Sequence, residues 1–134
     1  AKAGDTLVSV RAPVGDMNIA EEKCCIGRGV AAVRHKSGAT SFTHYALRNL
    51  ESDFASYEAE GTVFGSINKQ NFNNITFLVP PVSLIDAFEC QAGPMDEQIE
   101  NTDRQSRTLA TLRDTLLPKL LSGELSAAEA EQSL

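Results

Sequence analysis

Residues 94–120 read PMDEQIENTDRQSRTLATLRDTLLPKL, and this stretch decides the architecture. Met95, Ile99, Thr102, Ser106, Leu109, Leu112, Leu116 and Leu120 recur at threes and fours, which lines one face of an α-helix with a mostly apolar stripe. Pro94 suits the first position of that helix, where its missing N–H costs nothing, and Gly93 before it reads as a break. Pro118 reads as a bend or an end, with Gly123 following. A stripe left in water forfeits roughly 1.5–3 kcal/mol for each large side chain that burial would cover. The helix is therefore expected to project and to pair with another helix, antiparallel and from a second copy where no other partner is present. Thr102 and Ser106 make the seam a mixed one. The competing expectation is a helix that folds back on the sheet of its own chain.

Toward the N-terminus the period changes. Thr6-Leu7-Val8-Ser9-Val10-Arg11 has strand composition and is closed by Pro13 and Gly15. Cys24 to Val33 reads as a second, largely buried strand that forms a hairpin with the first, its glycines marking a bulge or a close backbone approach. Phe42, Tyr45, Ala46, Leu50, Phe54 and Tyr57 then fall at helical spacing, with Ser41 as N-cap and Gly61 as the stop. Asn68 to Asn73 reads as a turn of helix, and Ile75 to Val79 as a last strand halted by Pro80-Pro81. Val82 to Ala92 makes a short helix before Gly93-Pro94. The expected fold class is α+β: a small mixed β-sheet domain with short helices, followed by a long projecting α-helix for coiled-coil pairing.

A chain of 134 residues with 42% hydrophobic content has room for one modest core and an appendage. It opens at Ala1 with no charged and apolar leader pattern, which reads as a fragment of a cytoplasmic protein. No run approaches the eighteen or so apolar residues of a membrane helix. Cys24, Cys25 and Cys90 lack C-x-x-C spacing, so reduced and mostly buried thiols are expected rather than a disulfide framework or a zinc site. His35 and His44 have no companion at metal-ligand spacing. Neither a metal nor an organic cofactor is expected.

The net charge of −6 is unevenly placed. Residues 1–80 hold eight basic and eight acidic side chains, whereas residues 81–134 hold four basic and ten acidic, so all the excess acid lies in the second part. Lys23 to Leu50 contains Lys23, Arg28, Arg34, Lys36 and Arg48 and no acid. Such a segment offers a surface to phosphates, because affinity for DNA follows local charge.

Five stretches match a known family in order: Gly4 to Arg11, Gly27 to Ala31, Gly61 to Ile67, Val79-Pro80-Pro81, and Leu112-Arg113-Asp114-Thr115-Leu116-Leu117-Pro118-Lys119-Leu120-Leu121-Ser122-Gly123-Glu124. The series resembles the DNA specificity subunits of type I restriction-modification systems over almost the whole chain. The resemblance implies a partial target-recognition domain over 1–81, a helical spacer and dimerisation region over 82–123, and a flexible tail over 124–134. It implies a non-catalytic subunit that recognises half of a bipartite target in double-stranded DNA. The implied partners are methyltransferase subunits docked through the helix and the restriction and translocase subunit reached through them, while the apolar stripe itself adds a second copy of the chain as an expected partner.

A DNA reader needs donors for phosphates and planar or amide groups for base edges. Ser9, Arg11, Arg28, Arg34, Lys36, Thr62, Ser66, Asn68, Lys69 and Gln70 are the candidates of that chemistry. Two other function classes compete. One is a helix-mediated assembly module without DNA binding. The other is a small metal-dependent nuclease, formally matched by Asp16, Glu21 and Lys23, whose carboxylates stand too close in sequence to sit on adjacent strands.

Overall fold

The structure, a computed structural model, describes residues 1–59 and 65–125. It divides into two compact units, Ala1–Pro94 and a second beginning at Met95. The order of elements is β1 (Thr6–Ser9), β2 (Met17–Ile19), β3 (Val30–Val33), α1 (Thr40–Arg48), α2 (Glu51–Ala59), α3 (Lys69–Asn74) and α4 (Val82–Ser122). No helix among the described residues is long and apolar enough to cross a membrane.

β1 is the central strand of a three-stranded sheet in the order β2-β1-β3. Both pairings are antiparallel, Val8 lying opposite Met17 on one side and Ala31 on the other. The sheet is therefore not mixed as the sequence reading had it. Alternation explains why β1 takes the centre: Thr6 and Val8 are fully buried while Leu7 and Ser9 are half-buried. β2 is absent from the sequence reading because three residues are too few to show a period. Between β1 and β2, Gly15 takes φ +91°, and a Cβ there would stand 2.7 Å from the Cβ of Phe54. A bare backbone is what lets this turn close on the core.

The core of the first unit joins Val8, Val14, Leu47, Leu50, Phe54 and Ile67, with Val10, Met17, Val33, Tyr57, Phe72 and Ile75 packed around them. The helical spacing read from Phe42 to Tyr57 is carried by two helices, α1 and α2, with Asn49 and Leu50 between them. The N-cap of α1 is Ala39 rather than Ser41, and no side chain at the cap position bonds its first turn. Glu89 from α4 supplies the missing acceptor, its Oε1 receiving the Phe42 amide at 2.6 Å. Phe88, one residue before it, meets Phe42 and Tyr45 edge to face.

Four further expectations are corrected. Ile75 to Val79 joins no ladder among the described residues, and Phe77, Leu78 and Val79 are exposed. The expected break at Gly93-Pro94 is absent, and of the bend or end expected at Pro118 the end is absent, since α4 runs through both. Proline removes one intrahelical bond, whereas ending a helix orphans four carbonyls and restarting it orphans four amides. Gly123, at φ +75°, closes α4. The cysteines, expected to be mostly buried, are all free and exposed. The tail beyond residue 125 lies outside the described residues.

Candidate nucleic-acid interface

The C-terminal end of β1 gathers most of the candidate residues. The Val10 amide donates to the Gly29 carbonyl at 2.9 Å, and the Ile67 amide donates to the Val10 carbonyl at 3.1 Å. Arg11 and Ser66 then form an isolated antiparallel bridge. Three sequence-distant segments thus meet at one end of the sheet. The Ser9 hydroxyl donates to the Arg11 carbonyl at 2.6 Å, fixing the backbone from which the Arg11 side chain leaves. A Cβ on Gly29 would stand 3.5 Å from Arg11 Cγ, so the Arg11 stem lies against Gly29, beside Arg28 in the chain. Arg11, Arg28 and Ser66 are exposed. Asn68 caps α3, its Oδ1 receiving the Asn71 amide at 2.8 Å, and exposed Lys69 and Gln70 open that helix. The side-chain oxygens of Ser9 and Asn68 therefore already hold local structure.

Arg34 lies at the other end of β3, about 16 Å of extended chain from Gly29 at roughly 3.3 Å per residue, and Lys36 follows it in a turn. Arg34 pairs with Asp5, Nε to Oδ1 at 2.5 Å, and Asp5 also receives the Lys2 amide at 2.7 Å. The Lys2 amide and then the Arg34 guanidinium hold the Asp5 carboxyl below its ordinary value, against the opposing effect of burial. Lys36 is exposed in a turn where the His35 ring nitrogen and the Ser37 hydroxyl lie 2.7 Å apart. Thr62 lies outside the described residues. The single basic run of the sequence thus divides between two ends of a sheet, a separation invisible without the β1–β3 register.

The carboxylates of the nuclease reading are also apart. The Asp16 carbonyl receives the Ser9 amide at one end of β2, whereas Glu21 follows Ala20, whose amide donates to Asp5 at the other. Among the described residues no three His, Cys, Asp or Glu side chains are grouped as a metal ion would require. A shallow groove is lined by Gly15, Asp16, Met17, His44, Arg48 and Glu51. The sequence reading counted Arg48 only as charge; its spacing of four from His44 on α1 was the available sign that both share a face.

On the second unit, Met95, Ile99, Leu109, Leu112 and Leu120 are exposed, and Leu116 is half-buried. Thr102, which interrupts the stripe, donates its hydroxyl to the Gln98 carbonyl at 2.8 Å. Its polar group is satisfied inside the helix, so covering it costs less than covering a free hydroxyl.

The family described as the type I restriction modification DNA specificity domain matches residues 1–86. The chain belongs to this family. It is a domain of DNA specificity and not a catalytic one. Among curated relatives, the putative type I restriction enzyme MjaX specificity subunit of Methanocaldococcus jannaschii is 32% identical over 123 residues, which is 90% of this chain and 29% of that protein. The type I restriction enzyme MjaIX specificity subunit of the same organism is 32% identical over 88 residues, 66% of this chain and 20% of that protein. The specificity domain thus spans less than a third of the length of either relative. No solved structure matches.

Proposed function

We propose that this chain is the DNA-reading part of a cytoplasmic type I restriction-modification complex, recognising half of a bipartite target in double-stranded DNA. The observation that carries the reading is the meeting of Arg11, Gly29 and Ser66 at one end of the sheet, with Arg28 next to Gly29 in the chain, in a member of the specificity family. The face would use Arg11 and Arg28 on phosphates or guanine edges, with Ser66, Lys69 and Gln70 beside them. Ser9 and Asn68 would shape it. Arg34 and Lys36 would contribute at longer range, since Arg34 is already engaged by Asp5. The domain itself would carry no catalysis, cutting and methylation falling to the subunits it docks.

The long helix would serve assembly with methyltransferase subunits, through them with the restriction and translocase subunit, or with a second copy. Its sequence favours an antiparallel partner. Asp96, Glu97, Glu100 and Asp103 precede Arg104, Arg107, Arg113 and Lys119, with Asp114 the one acid among the latter. Laid antiparallel on a second copy about the point between Arg107 and Thr108, Met95 meets Leu120, Ile99 meets Leu116, Ser106 meets Leu109, and Asp96 meets Lys119. A parallel pair would set like charges together.

Titration of duplex DNA at several salt concentrations tests the reading. Arg11→Ala with Arg28→Ala should weaken binding and lower the slope of log affinity against log salt by about 2, one for each phosphate no longer neutralised. Arg34→Ala with Lys36→Ala should change the slope less. An unchanged affinity and slope in the first pair, with DNA binding otherwise intact, would remove this face from the interface. No DNA binding by the wild-type chain at low salt would favour the assembly module instead.

A further inference from the structure

Cys24 and Cys25 stand on an exposed loop and serve no role in the core. Every residue from Glu21 to Arg28 is exposed, and both thiols are free. The loop is nevertheless held in place. The Cys24 amide donates to the Ala1 carbonyl at 3.2 Å, the Cys24 carbonyl receives the Ala1 nitrogen at 2.8 Å, and the Val30 amide donates to the Gly27 carbonyl at 3.2 Å. Free cysteines are among the residues most often buried, so two adjacent exposed ones on an anchored backbone need another account. Their Cα atoms are about 3.8 Å apart across one peptide unit, which lets both sulfurs close on one small centre.

We propose that Cys24 and Cys25 form a two-thiol site for a soft, thiophilic centre that two thiolates satisfy, the class to which organic trivalent arsenicals belong. Zinc does not fit this description, because it takes four ligands and no third His, Cys, Asp or Glu joins the pair among the described residues. With phenylarsine oxide as the probe the step balances. Two S–H bonds and the arsenic–oxygen bond break, two arsenic–sulfur bonds form, and the oxygen leaves with both protons as water. No electron is transferred, so no oxidant is needed. The inference uses thiol chemistry alone and stands apart from the DNA reading.

The experiment is a mass measurement of the intact chain after one equivalent of phenylarsine oxide, followed by challenge with excess monothiol or with 2,3-dimercaptopropanol. The wild-type adduct should resist the monothiol and yield to the dithiol. Cys24→Ser and Cys25→Ser should each make the adduct labile to monothiol by about a hundredfold, the effective-concentration gain of the second linked group being removed. Cys90→Ser should leave the resistance unchanged, and circular dichroism should be the same for all four proteins. Resistance that survives Cys24→Ser or Cys25→Ser, resistance that disappears on Cys90→Ser, or a wild-type adduct released by monothiol would each overturn the proposal.

Discussion

Asp5 accepts the Lys2 amide and the Arg34 guanidinium while only 3% exposed, so its charge is matched where water is largely excluded. Its folded carboxyl titrates below the ordinary value of 3.8, which fixes the sign of the linkage. A depressed carboxyl contributes stability that is complete above the unfolded value and disappears as pH falls through the folded one. Acid unfolding followed by circular dichroism should therefore show Asp5→Asn less stable near neutrality, with the gap from wild type closing at low pH. A gap that stays constant down to the acid transition would mean that Asp5 is held by shape and not by charge. Gly15 offers a second residue-level test. Gly15→Ala meets both a positive φ and Phe54, whereas Gly38→Ala, at φ +85° with nothing within 4 Å of the added carbon, meets only the backbone cost. Urea unfolding should show a loss of about 1 kcal/mol for Gly38→Ala and a distinctly larger one for Gly15→Ala. Equal losses would mean that the backbone of α2 at Phe54, or the Gly15 turn, shifts freely to admit the added carbon.

At the scale of elements, the join between α1 and α4 can be probed directly because the helix start at Ala39 has no side-chain cap of its own. Glu89→Ala should cost about 1 kcal/mol, as removal of an N-terminal acceptor does, and Glu89→Gln should cost less because the amide oxygen still accepts from Phe42. The two variants behaving alike in thermal unfolding would mean that the charge, and not the acceptor, holds α1. This long-range cap also shows where sequence reading stops. The α+β class, β1, α3 and the apolar stripe of the long helix were legible, because each rests on a periodicity or cap carried by neighbouring residues. β2 was too short to show one, and a cap supplied from 47 residues away has no local signature. Ile75 to Val79 reads as a strand because its composition is that of one, but a strand needs a partner edge and composition does not name it. The candidate DNA face was half legible: residue types marked Arg11, Arg28 and Ser66, while only the register of β1 with β3 separates them from Arg34 and Lys36.

For the whole molecule, the exposed stripe of the second unit sets the expected behaviour in solution. Five large side chains per helix, each half covered in a pair, would gain roughly 10 kcal/mol over two copies, and association costs about 4–15 kcal/mol. The balance is close, and Thr102 and Ser106 lessen it further. Self-association should therefore be weak, at micromolar concentration or above, and visible as a molar mass in light scattering that rises with concentration. Leu109→Asp with Leu116→Asp should abolish the rise. A monomer in both proteins at all concentrations, with unchanged helicity, would sink the pairing. Orientation can be read from charge reversal. In an antiparallel pair Asp96, itself half-buried, faces Lys119 twice, so Asp96→Lys alone or Lys119→Asp alone should weaken the dimer about fivefold to tenfold, on the scale of two ion pairs turned repulsive. The double variant should restore it, because the opposite charges meet again with their places exchanged. In a parallel pair each position faces its own copy, so the single reversals would exchange one like-charge pairing for another and change little. Added salt should shrink the difference between single and double variants without removing the apolar association beneath it.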